Sequence, residues 1–240
     1  MKIVQLILLS IFLFAFSCKE ENKEELENQL ETAIESIGGE TAEEWNGKLD
    51  QLFTLEMAAQ VTGYSSAEAK QNYNKILKNP ETHSIEYNWD KGRIEVSEKV
   101  RNPITGKPME IPTNDYVEVS WVRNTTLEKF KHNYHTPTAE ELANASKAMD
   151  AKMQEMQNSG KATSEQAKSA KEIANSLGEG LSYTEIPNVG NYSVWNNKDN
   201  NLKVFYKGLE FQVYANLGDE TKNKEACVKA AKLIISEKLQ

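Results

Sequence analysis

The hydropathy pattern is most one-sided at the start of the chain. Behind Lys2, Ile3 to Phe16 is an apolar run broken only by Gln5 and Ser10. As a helix, a run of that length reaches about 21 Å, short of the roughly 30 Å hydrocarbon core of a bilayer. A short positive start, an apolar stretch and a small residue, Ser17, before Cys18 predict an export leader over residues 1–17 rather than a membrane span. Residues 18–44 are then dominated by glutamate, with Glu20, Glu21, Glu24, Glu25, Glu27, Glu31 and Glu35. Leu26, Leu30, Ala33 and Ile37 share one helical face there, and Gly38-Gly39 ends it, which predicts an acidic helix or tether.

Globular patterning begins near Trp45 and continues to residue 240, predicting a single domain. Phe53 to Val61 reads as a short apolar helix closed by Gly63. Ser65-x-x-Glu68 has the spacing of a capping box, and it predicts a second helix with Ala69, Tyr73, Ile76 and Leu77 inward and Pro80 at its end. Ile85, Tyr87 and Trp89 then alternate with Glu86 and Asn88, the period of a half-buried strand. Ile94 and Val96 continue the pattern, and Val117, Val119 and Trp121 predict a third strand. Between them, residues 102–114 hold Pro103, Gly106, Pro108 and Pro112, which predicts a long loop suited to contact.

The middle of the chain changes to helical spacing. Leu127, Phe130 and Tyr134 share a face. Thr138-x-x-Glu141 opens a long helix carrying Leu142, Ala145, Met149, Met153 and Met156. Ser159-Gly160 breaks it, and Thr163-x-x-Gln166 opens a second arm lined by Ala167, Ala170, Ala174 and Leu177, so that the two predict a helical hairpin. Strands return at 192–195, 202–206 and 209–215, the last two joined by the tight Lys207-Gly208 turn. A final helix carries Cys227, Ala230, Ala231, Ile234 and Ile235. The expected class is α+β: antiparallel sheet or sheets from two βββ units, helices on one face and a central helical hairpin. Helix, three strands, helix over 65–135 and again over 163–238 reads as an internal duplication.

Two resemblances follow. Ala15-Phe16-Ser17-Cys18 resembles the lipobox of bacterial lipoproteins, with Ala15 where Leu is commoner. That resemblance implies cleavage before Cys18 and acylation of its thiol and new amine. Cys18-Lys19-Glu20-Glu21 is similar to the export signal of surface lipoproteins of the Bacteroidota, which implies an outer-membrane anchor facing outward. In addition, residues 54–63 and the stretch Pro187-Asn188-Val189-Gly190-Asn191-Tyr192-Ser193-Val194-Trp195 resemble small exported α+β lipoprotein domains of unknown function.

Charge and cysteine content narrow the partners. The net charge is −8, and the leader takes only Lys2 with it, leaving −9. An acidic balance argues against nucleic acid, and against a broad basic patch for anionic lipid. With Cys18 acylated, Cys227 is left without a second thiol and reads as a small buried hydrophobe.

Candidate chemistry is sparse. His132 and His135 have a spacing found in zinc sites, and Met149, Met153 and Met156 could offer thioethers to Cu(I); surface histidines and a core stripe are the simpler readings of each. No Gly-x-Ser-x-Gly elbow or phosphate loop occurs. No catalytic residue and no cofactor is expected. The aromatics on the strands, Tyr87, Trp89, Trp121, Tyr192, Trp195, Phe205, Tyr206 and Phe211, would make a binding surface only where the sheet is uncovered. The sequence therefore points to a membrane-anchored, non-enzymatic module for an unknown protein or glycan partner, contacting it through residues 102–114. The alternatives are an envelope enzyme or enzyme accessory, and a metal-handling protein.

Overall fold

The computed structural model describes residues 42–166, 168–169 and 181–239. The leader, Cys18, the acidic tether through residue 41 and most of the second hairpin arm, 163–177, lie outside the described residues. The chain divides into two compact units, one holding His135–Ser182 and the other holding the segments up to Tyr134 and from Tyr183 onward.

The larger unit is a mixed helix and antiparallel-sheet structure, in keeping with the α+β expectation. It begins with a 3-10 turn at Ala42–Trp45, α1 (Leu49–Leu52) and α2 (Leu55–Thr62). Thr54 starts α2 by accepting from Met57 N–H, and Gly63, at φ 75°, ends it by donating to Ala59 O at 2.8 Å. Next come β1 (Lys70–Asn74), β2 (Ser84–Arg101), β3 (Pro108–Asn124) and α3 (Leu127–Asn133). After the other unit the chain returns as β4 (Tyr183–Glu185), β5 (Tyr192–Asn196), β6 (Asn201–Tyr206), β7 (Leu209–Asn216) and a C-terminal helix (Glu220–Lys238). The strands form one sheet in the order β1-β2-β3-β7-β6-β5-β4, every neighbour antiparallel. Each half of the chain is thus a meander, of three strands and then four, and the meanders meet at β3 and β7.

One face of the sheet carries the main core. Ile85, Tyr87 and Trp89 on β2, Val117 and Val119 on β3, and Phe211, Val213 and Ala215 on β7 point into it. The C-terminal helix closes it with Ala226, Cys227, Ala230, Ala231 and Ile234, and α2 adds Met57, Ala58 and Val61. Small residues on the C-terminal helix let its backbone lie close to the strands. Cys227 is fully buried, as expected, and desolvation pushes its thiol well above the ordinary range.

Three expectations are corrected. Ser65 opens only a 3-10 turn, Ser66–Glu68, and residues 70–74 are the edge strand β1. Asn72 and Asn74 are poor helix formers, the backbone of 70–74 pairs with β2, and Tyr73 turns inward so that its hydroxyl accepts from Leu49 N–H at 2.7 Å. Ile76 and Leu77 are consequently exposed. Helices are not confined to one face: Phe130 of α3 packs with Val194 and Phe205 in a separate cluster on the opposite face. Residues 102–114 are not one loop either, because β3 starts at Pro108 and only the turn 102–107 remains outside the strands. Pro108 and Pro112 are tolerated because that part of β3 has a single neighbour, β2, so each ring faces an unpaired edge.

In the smaller unit, α4 (Ala139–Asn158) opens with the expected capping box: Thr138 N–H donates to Glu141 Oε2 at 2.7 Å, and Glu141 N–H donates to Thr138 Oγ1 at 3.2 Å. It ends at Ser159-Gly160, where Lys161 N–H returns to Met156 O at 2.9 Å.

Candidate interaction surface

β2 and β3 are much longer than their neighbours. β1 pairs with β2 no further than Asn88, and β7 pairs with β3 no further than Tyr116. Beyond those points the two strands continue alone as a ribbon, with Arg93 opposite Thr113, Ile94 opposite Pro112, Glu95 opposite Ile111, Val96 opposite Glu110 and Ser97 opposite Met109. Such a ribbon has no sheet beneath it to bury apolar groups. Ile94 is 59% exposed, Val96 62% and Ile104, at the tip, 92%. Val100 and Met109 are exposed as well. Ile94 and Val96 share one face of the ribbon with Pro112 and Glu110, whereas Met109, opposite Ser97, lies on the other, so apolar side chains are exposed on both faces.

A polar clamp fixes the ribbon where it leaves the sheet. Arg93 Nε donates to Asp115 Oδ1 at 2.7 Å, and its Nη2 donates to Asn216 Oδ1 at 3.0 Å. Tyr64 donates to Asp115 Oδ2 at 2.6 Å, which pushes the phenol up to about 12. Tyr64 also packs edge-on against Trp89, whose indole donates to Ser65 O at 2.8 Å. Beside the clamp a polar hollow of about 320 Å³ is lined by Glu86, Asn88, Pro112, Thr113, Asn114 and Tyr116.

The second sheet face carries charge under α3. Glu210 is buried; Arg123 pairs with it at 3.1 Å, and the Tyr134 hydroxyl donates to its Oε1. Lys203, opposite Gln212 in the β6–β7 register, donates to the Gln212 side-chain oxygen Oε1, and its amine lies 5.1 Å from the Tyr134 ring centre. Burial pulls the Lys203 ammonium down to about 8. Phe130, Tyr134 and Tyr192 form an aromatic cover for this half of the face. On the other half, Tyr116 stacks on Tyr214, and burial raises the Glu118 carboxyl above the usual glutamate range.

The predicted residues separate as follows. Pro103 and Gly106 sit in the ribbon tip, and Pro108 and Pro112 on its β3 arm. His132 lies in the last turn of α3, whereas His135 follows the helix and meets Glu141 at 3.0 Å, so the two do not share a helical face. Met153 is buried on α4, with Met149 and Met156 half-buried, the pattern of an amphipathic stripe. Among the described residues no three His, Cys, Asp or Glu side chains come together as a metal site. Of the strand aromatics only Trp121 is well exposed, at 44%; it sits at φ 55° on a β-bulge opposite β7. Tyr87, Trp89, Trp195 and Phe211 are core, and Tyr192 and Phe205 pack on the α3 side.

Sequence reasoning missed the Lys203–Glu210–Arg123 group. The Lys207-Gly208 turn sets a hairpin register that places Lys203 beside Gln212, but nothing local announces that α3 covers this face. No protein family, characterised protein or solved structure matches the chain.

Proposed function

We propose that this chain is an envelope lipoprotein, acylated at Cys18 and held at the outer membrane, whose globular part is a non-enzymatic interaction module that makes contact through the β2–β3 ribbon. The observation that carries the reading is the ribbon itself. It exposes Ile94, Val96, Val100, Ile104 and Met109, is clamped at its base by Arg93 and Asp115 and has no core to cover. Lipobox-like residues before Cys18 and the acidic tether after it support the anchored location. The two meanders meeting at β3 and β7 are read as the product of duplication of a β-meander and helix unit, later diverged in strand number.

A second reading, an envelope enzyme or accessory, is favoured by one feature, the Lys203 amine held near 8 beside Tyr134 and Glu210. Against it stands the aromatic cover, which a substrate would have to displace.

Two experiments test the proposal. Acyl labelling in cells is expected to be lost in Cys18→Ala; persistent labelling sinks the anchor. A photo-crosslinking residue at position 104 or 96 is expected to capture a partner in intact cells, whereas one at exposed Glu237, on the C-terminal helix, is not. Equal capture at all three positions removes the ribbon as the contact element.

A further inference from the structure

We infer that the ribbon tip, residues 100–109, docks on an anionic phospholipid surface, with Ile104 and its apolar neighbours entering the interface and Arg101 and Lys107 meeting phosphates. The inference rests on the reading of the ribbon as the contact element and names what it contacts.

Arg101 and Lys107 are the only ionisable side chains in residues 100–109, which Glu110 follows directly, in a chain whose net charge is −8. A basic cluster at the extremity of an acidic protein selects an anionic partner locally while the body is repelled, which favours approach tip first.

Val100, Pro103, Ile104, Pro108 and Met109 lie in or beside the turn that ends the ribbon, and Val100, Ile104 and Met109 are exposed. An exposed apolar turn suits a deformable lipid interface. It does not suit a protein pocket without one being supplied.

Backbone chemistry decides between the two. A segment entering a bilayer interface must leave few N–H groups unsatisfied. Here Asn102 N–H donates to Lys107 O at 2.8 Å, and Gly106 N–H returns to Asn102 O at 2.8 Å. The Asn102 side-chain oxygen takes Ile104 N–H at 2.9 Å and Thr105 N–H at 3.0 Å. Lys107 N–H reaches Thr105 Oγ1 at 3.4 Å. Pro103 and Pro108 have no N–H to satisfy. From Asn102 to Pro108 every backbone donor is therefore engaged or missing, so the tip can enter an interface without stranding an N–H group. The guanidinium of Arg101 is held alongside by a bond to Gly106 O at 3.0 Å. The same economy speaks against strand addition by a protein along β3. Pro108 and Pro112 are four residues apart in an extended strand, so both ring nitrogens face the same unpaired edge.

The test uses the chain without its first 18 residues, which retains every described element of the fold. Ile104→Cys introduces the one accessible thiol, because Cys227 is fully buried. An environment-sensitive dye on that thiol is expected to brighten and shift to the blue with vesicles containing phosphatidylglycerol, and not with pure phosphatidylcholine. The response is expected to fade as salt rises. Removing two charges, Arg101→Gln with Lys107→Gln, is expected to weaken binding by about thirty-fold. Ile104→Ser in vesicle flotation, a change without folding consequence at so exposed a site, is expected to weaken binding also. Equal response to both vesicle types, or unchanged binding in the charge variant, overturns the inference. So does capture of protein instead of lipid from position 104 in cells, an outcome that leaves the interaction-module reading standing.

Discussion

Arg93 and Asp115 meet across β2 and β3 at 2.7 Å, at the point where the sheet narrows to the ribbon. Asp115 is buried and both its oxygens are used, one by Arg93 and one by Tyr64. Asp115→Ala leaves a half-buried guanidinium and a phenol without their acceptor. The expected cost is about 3 kcal/mol, against about 1 kcal/mol for Tyr64→Phe. Urea unfolding measures both. Limited proteolysis is expected to cut the ribbon sooner in Asp115→Ala than in the parent, and equal cutting rates would show that the clamp does not hold the ribbon.

Gly190 makes a sharper case than the other turn glycines. Its φ is +63°, and a Cβ placed there lies 2.6 Å from the backbone oxygen of Phe205, which cannot step aside because it accepts Asn191 N–H at 2.9 Å. Gly190→Ala is expected to destabilise by at least about 2 kcal/mol, and Gly63→Ala, with a similar φ but open space, by about 1 kcal/mol. Chemical denaturation of the pair gives the comparison, and equal losses would mean that the close approach carries no cost.

Lys203 sets a pH dependence with a definite sign. Its folded pKa, about 8, lies below the ordinary 10.5, so between those values the unfolded chain binds more protons than the folded one. Stability is therefore expected to rise as pH increases from about 8. The rise should stop near 10, where tyrosines such as Tyr134, held protonated in the fold by burial and by Glu210, begin to ionise in the unfolded chain. Lys203→Met is expected to lose the rise. A parent with flat stability from pH 8 to 10 would show that the ammonium is not desolvated.

The Glu118 carboxyl has the opposite sign. Desolvation, reinforced by Glu86, raises it above 4.5, so the fold holds its proton more tightly than the unfolded chain does. Its contribution is favourable below that range and is lost as pH rises through the folded value. Glu118→Gln, fixed in a neutral form, is expected to raise Tm at pH 7 and to lose that advantage as the pH falls toward 4. A Tm lowered at pH 7 would place the gain from the Ser120 hydrogen bond above the desolvation cost.

What the sequence made legible was whatever depends on local periodicity. Ile85, Tyr87 and Trp89 announced a strand with one buried face, Thr138 and Glu141 a helix start, and Lys207-Gly208 a hairpin; each is found. The failures lie where tertiary partners overrule local pattern. Tyr73 joined an edge strand because its neighbours could pair with β2, not because 70–74 is rich in strand formers. Pro108 and Pro112 looked like loop residues because proline is excluded from a paired edge, and the edge they occupy is unpaired. Lys203, Glu210 and Arg123 lie on three different strands, so only the topology brings them together.

The length of β2 allows the division between core and ribbon to be measured along one strand. Ile85 is fully buried between the sheet and its helices, and Ile94, nine residues on, is 59% exposed. Ile85→Ala removes methyl groups from a packed interior and is expected to cost about 3 kcal/mol, lowering Tm by about 6–12 °C. Ile94→Ala removes the same groups from water-facing surface, and a change within about 0.5 kcal/mol is expected. Thermal unfolding of the two variants at low protein concentration makes the comparison. If Ile94→Ala loses as much as Ile85→Ala, the ribbon is covered in solution by another copy of the chain, and its apolar side chains are not free to meet a membrane.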